Sequence, residues 1–181
     1  MTAEEKLPSI VAQGIIQARP QEVYAALTNS QLLPRWWSAW TQCEITHAAI
    51  DLKRGGLYRI ESRTKDGTVH FFRGEFLHVS PEFVAITWIT DYSEGFASAV
   101  YLLLEPKGPE ATKLAVEHRG LEAPEEHKRM SGGWRHILAV MQRGIPWTAE
   151  SRTPAEVEEV LHARGIKPSG RPGLRKRGLH E

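Results

Sequence analysis

A single cysteine, Cys43, stands in 181 residues. No internal disulfide can form, and a cysteine-rich zinc site is excluded with it. An excess of one charge sign is missing too. The 23 basic and 22 acidic residues leave a formal charge of +1, so no global field argues for nucleic acid or a membrane surface as the main partner. No apolar run approaches the roughly 20 residues of a membrane-spanning helix. The opening "MTAEEKLPS" is acidic and polar and lacks the apolar centre of a signal peptide. One cysteine without a secretion signal predicts a cytoplasmic location. A Gly-x-Ser-x-Gly elbow, a phosphate loop and a dinucleotide fingerprint are all absent, so no cofactor is expected. What remains is ordinary globular material. Hydrophobic residues make up 41% and charged residues 25%, enough for one domain with a core and a small appendage.

The periodicity of the chain is more informative. "SIVAQGIIQA" alternates, with Ile10, Ala12, Gly14 and Ile16 on one face, and predicts a strand. "RPQEVYAALTN" predicts a helix over 20–28, with Pro20 in its first turn and Glu22 at its positive end. A second short helix is expected over about 30–37, capped by Asn29 or Ser30 and kinked or shortened by Pro34. Six strand-like runs follow, at 42–51, 55–64, 69–80, 82–90, 96–106 and 111–121. Asp66-Gly67 gives the strongest hairpin signal among their turns. The period then changes. Over 124–143 the residues Met130, Trp134, Ile137, Leu138 and Met141 form one stripe, which predicts a long amphipathic helix ending before Gly144. Gly132-Gly133 inside it costs about 1 kcal/mol per glycine relative to alanine, which implies a helix backbone lying close to another element.

The order is therefore strand, two short helices, six strands and one long helix. A curved antiparallel sheet of seven strands has a concave face that one long helix can cover, leaving a cavity between the two. The succession "ARPQEVYAALTNSQLLPRWW", "KRGGLYRI", "DGTVHFFRGEF", "FVAITW", "TKLAVEHRGL" and "SGGWRHILAVM" resembles the START-like (SRPBCC) helix-grip superfamily. Within it, the branch similar to the C-terminal domain of the activator of the Hsp90 ATPase fits best, over about residues 9–144. The resemblance implies an α+β helix-grip fold with a hydrophobic cavity between long helix and sheet. Residues 1–145 would form this domain. Residues 146–181 would be an extension with one short helix over about 154–164 and a basic tail.

Three of the six tryptophans, Trp36, Trp37 and Trp40, fall within "LLPRWWSAW". A core plug rarely needs three, so the cluster reads as the wall of the cavity entrance, with Trp40 in the loop after the second helix. The aromatic strand residues Tyr58, Phe72, Trp88 and Tyr101, together with Trp134 of the long helix, complete the expected ligand-binding lining. Each taken alone is more often plain core than a ligand contact. His118 ends the inward row Leu114, Val116, His118. It is a ligand contact and the one candidate catalytic residue, a general base near neutral pH. Its plainer reading is a packed histidine bonded to a backbone carbonyl. No metal is expected: His70 and His78 are eight residues apart on one strand, roughly 26 Å, and no helix carries paired ligands at His-x-x-x-His spacing. Cys43 reads as a half-buried strand cysteine.

Three functions follow as expectations. The first is binding of a small hydrophobic molecule, lipid-, polyketide- or aromatic-like, with a hydroxyl or carboxyl reaching Tyr58 or His118. The second is a cyclase or hydratase using His118. The third, implied by the resemblance, is an accessory role for a chaperone. It ranks below the others because such activators carry an additional N-terminal domain. The segment Arg164–Arg177 holds six basic residues and no acidic one. Ala155 to about Gly170 resembles the SAP module that contacts DNA, although Pro172 and Gly173 oppose its second helix. A weak nucleic-acid contact through this tail stands beside the plainer reading of a solvated extension.

Overall fold

The computed structural model describes residues 7–41, 43–93 and 95–144, with the backbone alone for 38–41. The short helix expected over 154–164 and the basic tail lie outside the described residues.

The elements are β1 (Ile10–Ile16), α1 (Pro20–Thr28), α2 (Leu33–Thr41), β2 (Glu44–Ile50), β3 (Leu57–Arg63), β4 (Val69–Val79), β5 (Phe83–Thr90), β6 (Ser98–Pro106), β7 (Thr112–Arg119) and α3 (Pro124–Gln142). The strands form one curved antiparallel sheet in the order β1-β7-β6-β5-β4-β3-β2. Consecutive strands from β2 to β7 are neighbours, as short turns dictate, and β1 closes onto β7 with Ile10 opposite His118. Period-two alternation holds along the strands. On β5, Val84, Ile86, Trp88 and Thr90 face inward; on β6, Ser98, Val100, Leu102 and Leu104 do; on β7, Thr112, Leu114, Val116 and His118.

The helix starts follow their local chemistry. Pro20 opens α1, and the Glu22 carboxylate accepts the Arg19 backbone N–H at 2.8 Å. The second helix departs from expectation. It begins at Leu33, after a turn in which Asn29 Oδ1 accepts the Gln31 N–H, and it continues to Thr41. Pro34 does not shorten it, because a proline in the first turn has no intrahelical N–H to lose. Trp40 therefore belongs to the helix backbone and not to the following loop; its side chain is outside the description. All five stripe residues of α3 are buried, with Met141 completely so.

α3 lies against β1 at its C-terminal end, where Gln142 Nε2 donates to the Ile15 carbonyl at 3.2 Å. Its N-terminal end is pinned by Glu126. That carboxylate is buried and accepts from Ser93 Oγ at 2.8 Å and Thr90 Oγ1 at 3.2 Å, tying the turn after β5 to the first turn of the helix. Between these two anchors sits the glycine pair. A Cβ added at Gly132 would meet nothing within 4 Å. At this position, then, the helix does not approach a neighbour closely, contrary to the expectation; Gly132 is exposed and borders a gap between α3 and the sheet.

Candidate functional site

That gap is a cavity of about 640 Å³, bounded by Gly132, Gly133, Met130 and Arg129 of α3 on one side and by β3 and β4 on the other. The sheet wall is set by register. Ser62 of β3 is directly opposite His70 of β4, and Ile60 is opposite Phe72. In antiparallel pairs such partners have Cβ atoms roughly 4.5–5.5 Å apart on one face. Ser62 and His70 are thus side-by-side wall residues although eight positions separate them in the chain. The Ser62 hydroxyl is fully buried and has no hydrogen-bond partner among the described residues.

His70 is held from the turn after β5. Its Nδ1 lies 2.7 Å from Asp91 Oδ2 and 3.2 Å from the Tyr92 hydroxyl. An ionised carboxylate only accepts, so Nδ1 carries the hydrogen and Nε2 the lone pair in the neutral ring. Tyr92 stacks on the imidazole at 5.4 Å between centroids, and the Arg129 guanidinium lies 3.9 Å from the Tyr92 ring centroid. The result is a layered wall of imidazole, phenol and guanidinium at the edge of the cavity. Cys43 and Thr64 complete the strand side.

The sequence-expected site residues divide sharply around this cavity. Phe72 lines it. Trp36, Trp37, Trp88 and Trp134 do not line it; they are core, each between 3% and 6% exposed. The Trp36 indole donates to the Ala26 carbonyl at 2.9 Å, which seats α2 on α1. Trp37 packs edge-on against Phe72 at 4.8 Å and also contacts Trp88, which in turn contacts Trp134. The expected entrance wall is thus an aromatic core directly behind the cavity, since α2 lies against α3 and turns these rings inward. Tyr58 is buried, but its hydroxyl donates to the Thr87 carbonyl of β5 at 2.7 Å. Burial holds its phenol well above the ordinary tyrosine range, so it stays protonated. Tyr101 is on the opposite face of the sheet, stacked on Phe83 and covered by the Arg119 guanidinium. The alternation that sends Val100 and Leu102 inward sends Tyr101 outward.

His118 is neither exposed to the cavity nor bonded to a carbonyl. The Trp134 indole donates to its Nδ1 at 3.0 Å. An indole N–H can only donate, so the hydrogen of the neutral ring is on Nε2, which donates to Ser98 Oγ at 2.7 Å. Ser98 donates onward to the Trp88 carbonyl at 3.1 Å. Burial, with a smaller contribution from His127, pushes the His118 pKa from 6.5 down to about 4. A general base needs a lone pair within reach of the substrate proton. Here the lone pair is already taken inside the core, so the cyclase or hydratase reading based on His118 does not fit.

Ser62, His70, Asp91, Tyr92 and Arg129 were not among the expected site residues. His70 shares the inward parity of Phe72 in "TVHFFRGEF", and that was the available signal. Nothing local in the sequence places Asp91 or Arg129 beside it.

With this geometry in hand, the comparisons are specific. The family model for activator of Hsp90 ATPase homolog 1-like proteins matches residues 17–143. The chain belongs to this family. A relative from Mus musculus, activator of 90 kDa heat shock protein ATPase homolog 1, is 32% identical over 137 residues, 74% of this chain. The match takes in 36% of that relative, so the chain spans about a third of the length of the mouse protein. A solved protein from Chromobacterium violaceum has a TM-score of 0.62 at 22% identity, covering 77% of this chain and 98% of that one. An Hsp90 activator from Plasmodium falciparum has a TM-score of 0.54 at 22% identity, covering 70% and 86%. Both share the helix-grip fold of the family. No described helix is long and apolar enough to cross a membrane.

Proposed function

We propose that the chain binds a small, mainly apolar molecule in the cavity beneath the N-terminal half of α3. The observation that carries this reading is the cavity itself, about 640 Å³ in volume and bordered on the helix side by Gly132 and Gly133. That volume is within the range of roughly 300–1,000 Å³ common for small-molecule sites. A helix with two adjacent glycines forgoes about 1 kcal/mol at each, and a vacant space is what it has in exchange. The test uses the neutral fluorescent probe N-phenyl-1-naphthylamine. Saturable enhancement with the full chain is expected, and a Gly132→Phe variant that still unfolds cooperatively should lose it. Linear, non-saturating fluorescence with the wild type would remove the reading.

A second reading is supported by a different observation, the 32% identity to the mouse activator. In it the chain is an accessory to the 90-kDa heat shock protein and raises its ATPase rate. The purified chaperone should then be retained by the immobilised chain at physiological salt, with faster ATP hydrolysis. Absence of both effects at excess chain would reject it. A chaperone effect that survives Gly132→Phe while probe binding is lost would separate the two readings.

A further inference from the structure

Ser62 and His70 put polar groups on the sheet side of the cavity, and Lys128, Arg129 and His136 put others on the helix side. Ser62 Oγ is buried and unbonded among the described residues. His70 has Nδ1 committed to Asp91, and no described residue meets its Nε2. Arg129 and Lys128 line the same space, and neither forms an ion pair with any described carboxylate. Arg129 instead rests on the Tyr92 ring. The single acidic lining residue is Glu125, at the helix start. A buried hydroxyl left unsatisfied is destabilising unless something bonds to it, and such groups are rare in native interiors. Two unpaired cations at the rim attract negative charge toward that side. The remaining wall joins the apolar surface of Phe72, Met130 and the bare backbone at Gly132-Gly133 to Cys43, Thr64, Tyr92 and His136.

We propose that the cavity selects an amphiphile with a single carboxyl head, held by Ser62 and His70, its apolar chain lying against Phe72, Met130 and the glycine pair. The Ser62 hydroxyl, enclosed in this conformation, turns about its Cα–Cβ bond to donate to one carboxyl oxygen. The carboxylate takes up one proton from solvent on binding, and that proton lies between its other oxygen and His70 Nε2, while Asp91 holds the ring from behind through Nδ1. Arg129 and Lys128 draw the anion in without binding it directly. This assignment rests on the cavity reading above and names the ligand class for the same site. It moves the polar contact from Tyr58 and His118, which the core has already engaged, to a cross-strand pair that no local motif announces.

The experiment is calorimetric titration of the full chain with decanoate and with decanol, which share a chain length and differ in the head. Decanoate should bind about tenfold more tightly, the scale of one hydrogen bond to a charged group. Ser62→Ala should shrink that ratio severalfold and leave decanol affinity unchanged. It should also unfold at the same temperature or higher, since it removes a buried hydroxyl without a partner. His70→Phe, which keeps a ring against Tyr92, should shrink the ratio as well. Equal binding of the two probes by the wild type, or a ratio unaltered in both variants, overturns the carboxyl assignment. If neither probe binds while N-phenyl-1-naphthylamine still does, the assignment falls and the cavity reading stands. If none of the three binds, both fall.

Discussion

His118 shows how a single residue can look catalytic in a sequence and be structural in the fold. Its two nitrogens complete a chain from the Trp134 indole to the Trp88 carbonyl, and that chain works only with a neutral ring. The depressed pKa makes this a stability statement. In the unfolded chain the imidazole protonates below about 6.5; in the folded protein it resists until about 4. Stability from this residue is therefore fully present above about pH 6.5 and is lost as pH falls toward 4, by about 3 kcal/mol in all. Urea unfolding at pH 7 and pH 4.5 should show this loss in the wild type. A His118→Gln variant, which cannot titrate, should be less stable at pH 7 but should show a shallower decline. Parallel declines in the two proteins would mean that other acid-sensitive groups carry the whole effect. The same residue-scale logic separates Tyr101 from Trp88: both are strand aromatics, and only the parity of the strand decides which becomes core.

Among the elements, β4 and α3 each carry a glycine whose neighbours dictate opposite outcomes on substitution. At Gly74 an added Cβ would be 2.0 Å from the Thr87 carbonyl oxygen, far inside any permitted contact. Here β4 meets β5 closely: the Glu75 N–H donates to Thr87 Oγ1, and the Tyr58 hydroxyl reaches the same Thr87 carbonyl. Gly74→Ala should destabilise the protein by about 2–4 kcal/mol, as overpacking against backbone does. An unchanged urea midpoint would show that the strand can shift at no expense. At Gly132 the added methyl meets open space on a helix. Gly132→Ala should stabilise the protein by about 1 kcal/mol through helix propensity alone. Because Gly132 borders the cavity, the same variant should bind N-phenyl-1-naphthylamine less tightly. A gain in stability with unaltered probe affinity would mean that the glycine is not there to make room. The second helix is the element where local rules misled: Pro34 was weighed as an interior proline, but the turn after Asn29 places it in the first turn.

For the molecule as a whole, the family match over residues 17–143 and the anchored ends of α3 make the helix-grip unit complete within the described residues. We expect a chain shortened to residues 1–145 to fold with an unfolding midpoint close to that of the full chain. The change of pattern at Ile145-Pro146 is the basis for this. Early melting or aggregation of the shortened chain would assign part of 146–181 to the core. The cavity also belongs to this scale. It lies beside the N-terminal half of α3, whose ends are fastened to β1 through Gln142 and to the turn after β5 through Glu126.

The sequence by itself determined the elements, their order, and the fold family. Those follow from periodicity, from Asp66-Gly67 and the other turns, and from the stripe on α3, all of which are local signals read within about ten residues. It also determined which strand residues share a face, so that Tyr101 could have been set apart from Val100 and Leu102 at once. Only the tertiary structure decided the site. Ser62 meets His70 through the register of β3 on β4. Asp91 and Tyr92 reach His70 through the turn that Glu126 holds, and Arg129 joins them because α3 crosses there. Trp36 and Trp37 likewise became core through packing of α2 against its neighbours. Each of these meetings is between residues distant in the chain, fixed by how sheet and helix pack together, and no local pattern of residues encodes that packing.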